Sequence, residues 1–389
     1  MDPPELYWIT INVVRIIVYY HLYITDECNL SCRYCRERIF QVPAIERPEL
    51  SIKDIPTDVT YSLTDLYRFF SGDPNAVITF IGGEPTMRPE FITQVMQTIP
   101  AKKWMIQTNG ILLHQFPSDI INRFSTILVS IDGNKEITDY NRGRGTYSKI
   151  IENLQTILAN GFQGELIARI TVTEETDIYD AVTHLASNNG HSFHSIHWQI
   201  DAGFWNDYHL RSFGSWAVTK YIPGLQALAD VWIRTIEQEK IVPHWYPFIG
   251  IIRDLITEED SLLRCGSGHS NYTIQTDGTI IPCPIMLGIQ DYYLGHIRDT
   301  SPPDIPTVVI PSERCHTCDI FPICGGRCLY SAVMNPWPIE GMEEICFTVR
   351  SYISILQGIL FRINKLIEEE SLDSDAFMYE RFNGCEIIP

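Results

Sequence analysis

Most of the chemistry this sequence could perform rests on its eleven cysteines, which fall into two groups. Cys28-Asn29-Leu30-Ser31-Cys32-Arg33-Tyr34-Cys35 is a C-x3-C-x2-C triplet. Cys265, Cys283, Cys315, Cys318, Cys324, Cys328 and Cys346 form the second group, and Cys385 stands apart as a free cysteine. Three cysteines packed this closely leave one over in any disulfide pairing. Dense thiolates suit a soft metal or an iron–sulfur cluster. A four-iron cluster held by only three thiolates keeps one iron open to chelate a small molecule. A zinc knuckle completed by a distant residue fits the same spacing, as do plain buried cysteines.

The elements around the triplet narrow these choices. An apolar strand, Tyr19–Thr25, leads into Cys28. A second strand, Ala76–Ile81, runs into Gly82-Gly83-Glu84-Pro85, and a third, Lys103–Gln107, ends in Thr108-Asn109-Gly110. A fourth, Thr126–Ser130, ends in Ile131-Asp132-Gly133, and two more follow at Glu165–Val172 and His194–Ile200. Helical stretches such as Pro89–Ile99 and Tyr147–Asn160 separate them. Polar and glycine residues thus gather at the C-terminal ends of successive strands, where α/β barrels place their sites.

Composition sets outer bounds. The 389 residues are 45% apolar and 20% charged, an ordinary globular balance. A net charge of −19 repels phosphate backbones and weighs against a nucleic-acid substrate. Residues 6–24 are apolar, but Asn12, Arg15 and His21 interrupt them and Asp2 and Glu5 precede them. That is neither a signal peptide nor a membrane span. The expectation is a cytoplasmic protein with reduced thiols.

With these motifs in order, residues 19 to about 200 resemble the radical S-adenosylmethionine (SAM) enzymes. The resemblance rests on Cys28-x3-Cys32-x2-Cys35, Gly82-Gly83-Glu84-Pro85, and Ser130-Ile131-Asp132-Gly133 followed by Asn141-Arg142. It implies an α/β fold, a partial (β/α)6 TIM-like barrel, with Cys28, Cys32 and Cys35 holding a [4Fe-4S] cluster whose open iron binds SAM. Gly82, Gly83 and Glu84 would then form the cradle for the methionyl amino group, the glycines letting backbone approach where a Cβ would intrude. Ser130 and Arg142 would face the methionyl carboxylate, and Tyr34 the adenine. Arg169 would face SAM or sit in a structural ion pair. Reduction of the cluster would cleave SAM to a 5′-deoxyadenosyl radical that takes a hydrogen from substrate.

The C-terminal group reads Cys265-x12-Gly278-x4-Cys283, then Cys315-x2-Cys318-x5-Cys324-x3-Cys328, then Cys346. This spacing resembles the SPASM extension, which carries auxiliary clusters in many radical SAM enzymes. A pair of zinc ribbons is the competing reading. The resemblance implies that Cys315, Cys318, Cys324 and Cys346 hold a distal cluster, and Cys265, Cys283 and Cys328 a nearer one, three [4Fe-4S] clusters in all. The nearer set has only three cysteines: either His269 completes it or one iron stays open for a substrate thiol or amide.

Relatives of this layout mostly crosslink or oxidise peptide and protein side chains. Those that mature sulfatases carry Asp directly after the Gly-x4-Cys cysteine; here Pro284 stands there, which disfavours formylglycine formation. Asp291, Tyr292 and Tyr293 are weaker candidates for a base than Asp201, which follows the sixth strand. A tetrapyrrole or small metabolite is an alternative substrate, and a non-enzymatic iron–sulfur electron carrier is a third reading. Expected partners are a peptide or protein, a low-potential donor such as ferredoxin or flavodoxin, and a separate leader-binding protein, since little sequence precedes the first strand. Oxygen-labile clusters point to an anaerobic cytoplasm.

The expected organisation is an extension (1–18), the radical SAM barrel (19–205), an aromatic-rich helical connector (206–264), the SPASM region (265–350), and a closing helix and tail (351–389). The connector contributes an amphipathic helix at Leu225–Lys240, with Trp205–Tyr208 as a candidate peptide groove. Gln41–Thr60, with its prolines, reads as an insertion or loop.

Overall fold

The computed structural model describes residues 17–35, 55–308 and 312–382. Residues 1–16 of the N-terminal extension, most of the Gln41–Thr60 insertion and Cys385 therefore lie outside the described residues.

Six parallel strands follow one another in space as they do in sequence: β1 (Tyr19–Tyr23), β2 (Val77–Ile81), β3 (Lys103–Thr108), β4 (Phe124–Ser130), β5 (Glu165–Val172) and β6 (Ser195–Ile200). They are apolar on the face that the helices cover and in the lower part of the face toward the barrel interior. Helices α1 (Leu63–Phe70), α2 (Pro89–Thr98), α3 (Lys135–Arg142), α4 (Thr146–Ala159) and α5 (Ile178–Ala186) supply the outer layer. Several of their starts are written in the sequence. Ser62, Asn134 and Asp177 each accept a backbone N–H of the first turn, of Asp65, Ile137 and Asp180 respectively.

The cysteine-rich C-terminal region does not stand apart from this sheet. Strand β7 (Asn271–Ile274) pairs in parallel with β1, and β8 (Thr279–Ile281) and β9 (Gly295–His296) continue antiparallel, giving nine strands in the order β6-β5-β4-β3-β2-β1-β7-β8-β9. The β7–β8 hairpin turns at Asp277-Gly278, with Gly278 at φ +97°. It covers the edge that β1 would otherwise expose. It also carries Cys283, just past β8, to the barrel mouth.

Strand alternation sorts the interior into layers. Tyr19, Val77, Met105, Leu128 and Ile167 form a small apolar cluster at the bottom, closed by Tyr246 and by Tyr379 and Phe382 of the C-terminal segment. Two residues further along the same faces, His21, Gln107 and Arg169, joined by Gln199 of β6, turn the upper interior polar.

Beyond β6, α6 (Ile222–Glu239) and α7 (Tyr246–Thr257) pack with the long α8 (Ile339–Glu368). Helix α8 starts at Ile339, twelve residues before the closing helix expected from residue 351, because Pro338 sits at its N-cap. Its stripe of Ile345, Val349, Tyr352, Ile353, Leu356, Ile359 and Ile363 is buried, which accounts for its apolar composition. Most connector aromatics are core: Trp216, Trp232 and Phe248 are buried, Trp232 edge-on to Phe248.

Candidate functional site

The triplet loop is pinned to both of its neighbours. Arg33 donates from its backbone N to Asn141 O (2.9 Å) and from Nε to Tyr140 O (2.9 Å), tying the loop to the end of α3. Asn109, after β3, donates from Nδ2 to Asn29 Oδ1 (2.7 Å) and reaches Cys28 Sγ at 3.9 Å. Burial pushes the Cys32 thiol up to about 11, against the pull of Arg142. A soft cation binding there must displace that proton.

The Gly82-Gly83 loop docks on the segment leading into Cys28. Gly83 N donates to Thr25 O and Glu84 N to Glu27 O, both at 2.8 Å. A Cβ on Gly83 would lie 2.4 Å from Glu27 O and 2.5 Å from Asp26 O; one on Gly82 would lie 2.4 Å from Thr25 O. The close packing against the backbone of residues 25–27 by itself requires glycine at both positions. The Glu84 carboxylate is likewise turned inward. It accepts from Thr86 N (3.1 Å), Thr86 Oγ1, Thr108 Oγ1 (2.7 Å) and Asn109 N (2.7 Å), bracing the loops after β2 and β3.

Arg142 does not stand alone facing a cavity. It is buried, and its Nε and Nη2 donate to Asp132 at 3.0 and 2.9 Å. Burial alone would lower its pKa, but the Asp132 carboxylate outweighs that and raises it. Tyr34 donates its hydroxyl to the same carboxylate (2.8 Å), and Thr171 N adds a contact at 3.2 Å. Asp132, which was not among the expected site residues, is the hub. The signal for it was its place directly after β4, in Ser-Ile-Asp-Gly. Ser130, half-buried at the end of β4, lies beside Arg169 in the strand register.

A cavity of about 320 Å³ opens at the C-terminal mouth of the barrel. Tyr34 and Gly82 line one side, His21, Gln107, Arg169 and Gln199 its floor, and Asp201, Phe204 and Trp205 another wall. Cys265, Cys283 and Cys328 line it too, with Pro284 beside them. Ser130, Gly83, Glu84 and Arg142 stand behind that lining. Of the aromatic stretch after β6, Phe204 and Trp205 reach the cavity, whereas Tyr208 packs on Trp337. Asp291, Tyr292 and Tyr293 do not line it. Arg169 donates to Gln107 Oε1 (2.5 Å) and Gln199 Oε1 (3.0 Å). Burial, helped by Arg169, lowers the His21 pKa to about 3, so this ring is neutral.

Asp201 sits in a ring of charge. Arg211 donates to Glu174 Oε1 (2.9 Å), Asp207 Oδ2 (2.9 Å) and the Asp201 carbonyl (2.6 Å), with Asp201 Oδ2 at 3.7 Å. Burial, opposed by Arg211 and reinforced by Asp207 and Glu174, raises the Asp201 carboxyl to about 6. That is a useful value for a general base near neutrality.

A second cavity, of about 250 Å³, is lined by Cys315, Cys318, Cys324 and Cys346, with Cys328 on the wall shared with the first. Local backbone bonds bring these segments together: Leu263 N donates to Gly325 O (2.8 Å) and Ser261 N to Pro322 O (2.6 Å), joining the approach to Cys265 with the loop after Cys324. Gly325 is needed there; its φ is +69° and a Cβ would sit 2.8 Å from Leu263 N. Among the described residues no three His, Cys, Asp or Glu side chains converge on a single-ion geometry; these sulfurs ring cavities instead. His269 lies off both, its ring nitrogens 2.9 Å from Ser270 Oγ and 2.9 Å from Leu262 O.

Residues 22–184 match the radical SAM superfamily. Over those residues the chain carries a radical SAM domain, and that family implies a [4Fe-4S] cluster and SAM. It is 23% identical over 358 residues to the mycofactocin maturase MftC of Mycolicibacterium smegmatis, covering 83% of this chain and 81% of the relative. The same fold occurs in anSMEcpe, solved with bound AdoMet and the Cp18Cys peptide (18% identity, 90% of this chain and 99% of that one, TM-score 0.67). It also occurs in Streptococcus suis SuiB bound to its precursor peptide SuiA (15% identity, 82% and 73%, TM-score 0.55).

Proposed function

We propose that this protein is a radical SAM enzyme that crosslinks or oxidises a peptide or protein side chain in the cavity at the barrel mouth. One observation carries the reading. A single cavity joins Tyr34 and Gly82, on the SAM side, to Asp201 and to Cys265, Cys283 and Cys328. The similarity to MftC, and the fold shared with two proteins solved with peptides bound, support a peptide substrate.

In this reading Cys28, Cys32 and Cys35 hold the SAM-binding cluster. Cys265, Cys283 and Cys328 hold the nearer auxiliary cluster, and Cys315, Cys318, Cys324 and Cys346 the distal one. When bound, a reduced [4Fe-4S] cluster and SAM supply the 5′-deoxyadenosyl radical. The rest falls to the chain's own residues. The Asp132–Arg142 pair fixes Tyr34 at the cavity wall. Arg169, Gln107 and Gln199 offer donors at its floor, and Phe204 and Trp205 exclude water. Asp201 takes a proton from the substrate side chain. With His269 bonded elsewhere, the nearer set keeps three thiolates and an open position for a substrate thiol or amide. A low-potential ferredoxin or flavodoxin supplies electrons, a separate protein presents the peptide leader, and the setting is an anaerobic cytoplasm.

The test is hydrogen transfer. Reconstituted enzyme, dithionite and SAM are incubated with side-chain-deuterated peptide pools, and 5′-deoxyadenosine is analysed by mass. Deuterium arriving from a peptide, with a matching mass loss in that peptide, is the expected result. Deoxyadenosine that never acquires deuterium from any peptide, but does from a tetrapyrrole or small metabolite, would overturn the substrate class.

A further inference from the structure

Arg327, between Gly326 and Cys328, is buried with 6% of its surface exposed. Its Nη2 donates to Ala202 O (3.0 Å), in the loop that also carries Asp201. The other two nitrogens, Nε and Nη1, are buried without a hydrogen-bond partner. Its guanidinium lies 5.6 Å from the ring centroid of Phe204, on the wall of the first cavity. Arg327 itself lines the second cavity, with Cys315, Cys318, Cys324 and Cys346. Among the groups that act on its charge are the sulfurs of Cys328, Cys324 and Cys346.

A guanidinium this buried, with two idle donors, is expensive unless an anion faces it. Among the described residues it has no carboxylate partner, whereas Arg350, on the same cavity, is paired with Asp319 at 2.6 Å. Asp201 feels the charge of Arg327 without pairing with it, and the anions that face Arg327 from the second cavity are the thiolate set. Four thiolates around an iron–sulfur core carry net negative charge, which grows by one on reduction. A buried cation beside them favours the reduced form, and N–H donors to sulfur act in the same direction.

We propose that Arg327 is the built-in counter-cation of the auxiliary clusters, placed between the two cysteine sets and raising the reduction potential of at least one of them. This inference rests on the cluster reading above. Through Ala202 O it also ties the clusters to the loop bearing Asp201, so it is a positioning and tuning residue and not one that touches substrate.

The experiment compares wild type, Arg327→Gln and Arg327→Lys after anaerobic reconstitution, by iron analysis and EPR-monitored redox titration without SAM or peptide. With full iron, Arg327→Gln is expected to lower one auxiliary midpoint so that, at the wild-type midpoint, the reduced-to-oxidised ratio falls about tenfold, or about 59 mV for one electron. Arg327→Lys, which keeps the charge, is expected to stay near wild type, with the SAM-binding cluster unmoved in both. Full iron and unchanged midpoints in Arg327→Gln would overturn the proposal. Should Arg327→Gln lose auxiliary iron, Arg327→Lys decides: iron and midpoints retained support the counter-cation role, and the same loss of iron overturns it. A wild type that takes up only about four irons is a different failure, of the cluster reading itself.

Discussion

Asp132 and Arg142 form a bidentate pair buried behind the Tyr34 side of the cavity, with Nε–Oδ2 at 3.0 Å and Nη2–Oδ1 at 2.9 Å, and Tyr34 of the cysteine triplet donates to the same carboxylate. One anion thus sets the orientation of two residues that the motifs alone would assign to SAM directly. Asp132→Ala leaves Arg142 buried without its carboxylate, so a loss of about 3–5 kcal/mol in stability is expected by chemical denaturation. Asp132→Asn keeps the shape but weakens the hold on Tyr34. Its SAM dissociation constant, measured by calorimetry on reconstituted protein, is expected to rise about tenfold.

Gly83→Ala tests how the triplet is placed. The new Cβ must push against Glu27 O and Asp26 O, both within 2.5 Å, and so displaces the segment entering Cys28. The expected outcome is loss of about four irons per chain and of deoxyadenosine formation, with an unchanged circular dichroism spectrum. Wild-type iron and turnover in this variant would show that the loop yields without consequence.

Much of this was legible in the sequence, and the reason is physical. Strands buried on both faces are rich in apolar residues, so all six barrel strands appear within two residues of their expected positions. The cysteines betray themselves by spacing. What spacing cannot give is which partner a charged side chain chooses. Arg142 and Glu84 are bonded to Asp132 and to the loops at Thr86 and Asn109, pairings that no motif spells out. Long-range docking was hidden too: β7 joins β1 across most of the chain, and only the fold shows Cys328 on the wall between two cavities.

Asp201 gives a pH signature. A base works when deprotonated, and its carboxyl is raised to about 6, chiefly by burial. Product formation should therefore fall as pH drops through about 6 and level off above it. Asp201→Asn should cut product formation by about 100-fold or more while SAM cleavage continues without it. A pH profile flat from about 5 to about 7 in the wild type, one unit either side of that value, would remove Asp201 from the role.

The division of the C-terminal cysteines can be read in iron. Cys346→Ala and Cys318→Ala should each lose about four irons per chain, and the double variant no more than either alone, since both line the second cavity. Cys283→Ala, on the first cavity, should lose a different four, so that its loss adds to that of Cys346→Ala.

The most direct test of the whole reading is anaerobic reconstitution of the wild-type chain beside Cys28→Ala, with iron and sulfide analysis, then dithionite, SAM and quantification of 5′-deoxyadenosine. The wild type is expected to hold about twelve irons and to form deoxyadenosine, and Cys28→Ala to hold about eight and form none. Iron–sulfur clusters in the wild type with no deoxyadenosine would contradict the enzyme and leave an electron carrier in its place.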